Sequence, residues 1–100
     1  MPVFYHRLAL AELKNAVRWY ARAGAKVANR FLAQVHAATS RVEANPSVGS
    51  PCYGAYRFIF VRKFPYVIYY RELTATSVMV YAIAHGRRRP GYWLRRLNRP

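Results

Sequence analysis

Among the side chains of types that act on phosphate esters, six are candidates for such chemistry: Arg57, Arg62, Lys63, His85, Arg88 and Tyr92. RNA can be cut without a metal when its 2′-hydroxyl is the nucleophile. A base to deprotonate that hydroxyl, an acid for the leaving oxygen and cations for the pentavalent phosphorus then suffice. His85 titrates in the range that acid–base work needs, but it also stands where an apolar run ends, a common place for a hydrogen-bonded structural histidine. Tyr92 and Trp93 offer rings on which bases could stack or which could pack on a sheet. Arg87, Arg88 and Arg89 would hold phosphate without reading sequence, or form an exposed charged turn.

Most other chemistries are excluded by what the chain lacks. It contains no aspartate, and Glu12, Glu43 and Glu72 are its only acids. Two-metal nucleases, glycosidases and aspartic proteases need clustered carboxylates, and a Ser/His/Asp triad needs an aspartate. The glycines at 49, 54, 86 and 91 read as turns rather than a phosphate-cradling loop. Cys52 is the single cysteine, in the turn-rich stretch SVGSPCYG, with neither a disulfide partner nor a metal-ligand spacing. No metal and no cofactor are expected.

Charge points to a partner. Lys and Arg number 17 against 3 acids, a formal net charge of +14, which calls for a polyanion: nucleic acid, an acidic protein or an anionic surface. Lys14, Arg18 and Arg22 follow one another at i,i+4 on one helix face, and each like-charge pair costs roughly 0.2–0.5 kcal/mol. They form either a solvated face or the seat of an acidic partner.

These side chains must be held by the elements around them. Ala9, Leu10, Leu13, Ala16, Val17 and Tyr20 recur at helical spacing until Gly24, and Ala28, Phe31, Leu32, Val35, Ala38, Thr39 and Val42 do so until Asn45-Pro46. The period then changes. YRFIFVR (56–62), YVIYYRE (66–72) and SVMVYAIAH (77–85) are β-branched and aromatic with short connections, so they read as an antiparallel meander, preceded by a short β-prone VFYHR. Both strand faces are apolar. One can be covered by a helical hairpin with Leu13, Val17, Phe31, Val35 and Val42 in its core; the other needs the tail, a partner or a substrate. The expectation is a single α+β domain over residues 1–100, with a basic tail from 86 to 100. MPVFYHRLAL has no charged leader, and no apolar run is long enough to span a membrane, so the cytoplasm is expected.

The order of a helical hairpin, NPSVGSPCYGAYRFIF, KFPYVIYYRE and VMVYAIAHGRRRPGYW resembles the RelE/ParE superfamily of bacterial type II toxins. The resemblance implies a β-α-α-β-β-β fold with the hairpin on one face of an antiparallel sheet. It also implies an acidic antitoxin that forms a hetero-oligomer with the toxin. RelE-like members cut messenger RNA on the ribosome. Arg57, Arg88 and Tyr92 fall near the positions they use, with His85 a further candidate. Val67 stands where that pattern often has arginine, however, and Phe58, Ile59 and Phe60 where it has lysines. The resemblance is therefore stronger to ParE-like members, which poison DNA gyrase and have no ribonuclease set. On that reading Lys14, Arg18, Arg22, Arg57, Arg62, Arg87, Arg88, Arg89, Tyr92 and Trp93 bind partners and nothing is catalytic. The alternatives are a ribosome-dependent ribonuclease and a basic nucleic-acid-binding domain unrelated to toxicity.

Overall fold

The computed structural model describes residues 1–98, so the last two residues of the expected tail lie outside it. Strand β1 (Val3–Tyr5) leads into helix α1 (Arg7–Ala21) and helix α2 (Ala25–Ala44); strands β2 (Ser50–Cys52), β3 (Tyr56–Val61), β4 (Tyr66–Thr74) and β5 (Ser77–His85) follow. The helix starts and stops have local causes. The buried His6 imidazole caps α1, its Nδ1 accepting the Leu8 N–H at 3.1 Å. Gly24, at φ 131°, provides a backbone conformation that side-chain-bearing residues avoid, and the chain turns there into α2. Asn45 ends α2, and its side chain accepts the Ser47 N–H at the start of a 3-10 helix, Pro46–Val48.

The hairpin covers one sheet face, as expected. Phe31, Val35 and Val42 are buried, with Leu13 and Val17 partly buried against them. Ala9 and Ala16 are buried where α1 lies on the sheet. Phe31 anchors an aromatic cluster, with Tyr20 at 4.9 Å and Phe64 and Tyr66 both at 5.2 Å between ring centroids.

The sheet order is β1-β5-β4-β3-β2. The three long strands form the antiparallel meander, but the sheet is mixed because β1 pairs parallel with β5, Val3 opposite Val78 and Tyr5 opposite Val80. The helical hairpin and strands β2 to β4 separate these two strands in sequence. Stretch 50–52 is a strand rather than a loop, and Cys52 pairs with Tyr56. Pro51 there has no N–H to donate, which an edge strand tolerates. Gly49 is required for packing: a Cβ would stand 2.5 Å from the Tyr70 hydroxyl. That hydroxyl accepts the Gly49 N–H at 2.9 Å and donates to the Pro46 carbonyl at 2.7 Å.

Burial pushes the phenols of Tyr5, Tyr20, Tyr66, Tyr69 and Tyr70 above their ordinary value of 10.0. Above about pH 10 the unfolded chain loses these protons while the folded chain keeps them. The stabilisation is therefore complete below pH 10 and is lost as pH rises toward the folded values. Thermal melts followed by circular dichroism should show a steep fall in melting temperature above pH 10. A flat profile to pH 11.5 would contradict this.

Candidate partner interface

The tail is fixed to the sheet by the one carboxylate of α1. Glu12 Oε1 accepts the Ile83 N–H at 3.0 Å and Arg96 Nη1 at 2.8 Å, while Oε2 accepts the Tyr92 hydroxyl at 2.5 Å and Arg96 Nη2 at 3.1 Å. Arg96 Nη1 also donates to the Tyr81 carbonyl at 2.9 Å. The pairing of β1 with β5 ends at Tyr5 and Val80. Beyond that point Glu12 and Arg96 supply the acceptor and the donor that a neighbouring strand would supply. Both side chains are largely buried, 16% and 12% exposed, so this is a desolvated, bidentate ion pair rather than a surface one. Sequence reading did not connect the two residues, since nothing local links positions 84 apart. The available signal was the presence of one acid in an otherwise basic helix.

Tyr92 and Trp93 therefore have different surroundings from those expected of contact residues. Trp93 is fully buried. It packs on Tyr69 at 4.5 Å, Tyr56 at 4.7 Å and Tyr53 at 5.7 Å and closes a second small core over the sheet with Tyr81 and Ala82. It has no face to offer a partner, which corrects its assignment to the binding surface. Tyr92 lies under the Arg88 guanidinium at 3.9 Å from the ring centre, with Arg96 at 5.2 Å. Burial pushes its phenol far above the ordinary range, and the hydrogen bond and negative charge of Glu12 push it further.

Arg57 and the tail residues do not converge. Arg57 shares the helix-side face with Ile59 and Val61 and donates to the Gly49 carbonyl at 2.7 Å. It lines a cleft with Ser47 and Thr74, whereas His85, Arg88 and Tyr92 line a different one, of about 100 Å3, beneath the tail. His85 Nδ1 accepts the Arg87 N–H at 3.1 Å, and its ring meets Tyr66 edge-on. Arg62, Lys63, Arg87, Arg88 and Arg89 are exposed. So are Lys14, Arg18 and Arg22; Arg18 bonds Asn15 and Arg22 lies over the exposed Trp19. Among the described residues no group of three His, Cys, Asp or Glu could hold a metal, and no helix is long and apolar enough to cross a membrane.

The tail covers only part of the second sheet face. An open apolar groove of about 460 Å3 remains beside it, walled by Tyr53, Phe58, Phe60, Val67 and Tyr69. Phe60 is 63% exposed there. This groove contains three of the residues by which the sequence departs from the nuclease pattern, Phe58, Phe60 and Val67, whereas Ile59 is buried on the helix side; the exposed Arg88 and Arg89 line the adjoining cleft that shares Val67 and Tyr69.

A family model described as the ParE toxin of the type II toxin–antitoxin system parDE matches residues 3–90. No curated protein matches the chain. The match includes Glu12 and ends before Tyr92, Trp93 and Arg96.

Proposed function

Since the chain belongs to the ParE family of type II toxins, we propose that it arrests growth by binding DNA gyrase in the cytoplasm, without chemistry of its own, and that an acidic antitoxin neutralises it. The observation that carries this reading over ribonuclease action is the state of Tyr92. Its hydroxyl is committed to Glu12 and its phenol is pushed far above the range of a useful acid or base. The remaining nuclease candidates support the same choice, because Arg57 lines a cleft other than that of His85 and Arg88. What the surface offers instead is cation charge and an apolar groove, the features a protein partner uses. The ribonuclease alternative draws on His85, Arg88 and Tyr92 sharing one cleft. The test is expression from a tightly controlled promoter, scoring DNA breaks and SOS induction against messenger RNA cleavage. Messenger RNA cleavage without DNA damage would refute the gyrase reading.

The antitoxin should stabilise the toxin. With 17 cations against 3 acids, self-repulsion penalises the free folded chain, and an acidic partner relieves it. At about 100 times its dissociation constant, binding adds roughly 2.7 kcal/mol by mass action. The melting temperature should rise with antitoxin and the rise should shrink as salt increases; an unchanged melting temperature would contradict it.

A further inference from the structure

We propose that the outer edge of β3 at Phe60 accepts an extended acidic segment of the antitoxin as an added, antiparallel strand; the proposal rests on the toxin–antitoxin reading above. β2 pairs with β3 only from Tyr56 to Phe58. At Gly49 the chain leaves the line of β2 for the 3-10 helix Pro46–Val48, so no strand pairs with β3 beyond Phe58 among the described residues.

The direction of the backbone groups there follows from Pro51. Pro51 pairs with Arg57 but has no N–H, so the doubly hydrogen-bonded pairs must be Ser50 with Phe58 and Cys52 with Tyr56. Phe58 thus points its N–H and C=O at β2. Two residues on, Phe60 points the same groups outward along the same edge. Exposed strand edges are templates for pairing.

The surroundings select the occupant. An added strand would alternate its side chains between the two sheet faces. On the tail side they would extend the apolar groove of Phe58, Phe60 and Val67. On the helix side they would enter an open cleft of about 320 Å3 lined by Arg41, Val48 and Arg62, and no carboxylate among the described residues pairs with either arginine. A segment alternating apolar and acidic residues satisfies both faces. A second copy of this chain does not, because it would bring Arg41 and Arg62 against their equivalents.

In an antiparallel pair, residues directly opposite share a face, so the residue opposite Phe60 is an apolar one and its N–H faces β3. Three fluorescein-labelled, end-capped peptides test this: alternating Glu and Val over seven residues, the same with N-methyl groups on the valines, and the same with N-methyl groups on the glutamates. All carry identical charge, so non-specific attraction to a cationic protein cancels. Anisotropy titrations should show the valine-methylated peptide binding about fivefold more weakly than the parent, as loss of the one hydrogen bond that the Phe60 carbonyl accepts predicts. The glutamate-methylated peptide should match the parent, and the parent should slow hydrogen exchange at the Phe60 amide. Equal affinities for all three, or no binding of the parent, would overturn the proposal. Phe60→Pro, checked for folding by circular dichroism, should abolish the difference between the peptides; if that variant does not fold, the three-peptide comparison on the unaltered protein decides alone. Growth arrest is read separately, so a chain that arrests growth yet binds the peptides equally would refute the added strand and leave the toxin reading standing.

Discussion

Replacing Glu12 with alanine should release the tail while leaving the helical hairpin folded on the meander. The substitution leaves the Arg96 guanidinium, the Ile83 N–H and the Tyr92 hydroxyl without their shared acceptor. Breaking a buried ion pair by removing one partner typically costs about 3–5 kcal/mol. That cost falls locally, because the main core around Phe31, Ile68 and Val80 contains no tail residue. Trp93, now fully buried, should become wet, shifting tryptophan emission to the red, and trypsin should cut between Arg87 and Arg96. The Ile83 amide should exchange faster while the amides of β4 keep their protection. Glu12→Gln keeps the size and one acceptor but loses the charge, so it should fall between the two. A Glu12→Ala protein whose Trp93 stays dry and whose tail resists trypsin would show that ring packing on Tyr56 and Tyr69 holds the tail without the carboxylate.

That latch also shows what the sequence made legible and what it concealed. Both helices and the three long strands follow from periodicity: Phe31, Val35 and Val42 had to share a face, and the alternation in YRFIFVR and SVMVYAIAH permits little but strand. β2 was hidden because Gly49, Ser50 and Pro51 have turn propensity, and only pairing with β3 makes them a strand. The parallel register of β1 on β5 joins residues 75 apart in number, Val3 with Val78, and a short β-prone segment carries no record of its neighbour. Charge misled in the tail. Trp93, set among arginines, looked like a surface residue, whereas a basic segment with two aromatic residues is also how a strap covers an apolar sheet face. Once Glu12 and Arg96 fix its end, Trp93 has to face inward. The arginines at 87–89 remained where the sequence put them, exposed on the turn after β5.

His85→Ala and Tyr92→Phe should each leave most of the toxicity intact, whereas replacing Arg87, Arg88 and Arg89 together with alanine should reduce it strongly. In Tyr92→Phe the ring can keep its place under Arg88, and Glu12 keeps Arg96 and the Ile83 N–H; one charge-assisted hydrogen bond is lost, about 1.5–3 kcal/mol of stability. His85→Ala removes the acceptor of the Arg87 N–H on an exposed turn that retains the Gly86 N–H bond to the Pro65 carbonyl at 2.8 Å. Neither change alters the charge presented to a partner by the three arginines. A nuclease responds in the opposite order, because loss of a general acid or base typically costs about 10²–10⁴-fold in rate, while one phosphate-binding arginine can partly stand in for another. Growth on inducible expression, with circular dichroism confirming each fold, reads the outcome. If a folded His85→Ala or Tyr92→Phe protein loses toxicity, and ribosomes with the unaltered toxin cut messenger RNA, His85 and Tyr92 are doing acid–base work and the gyrase reading gives way to the ribonuclease.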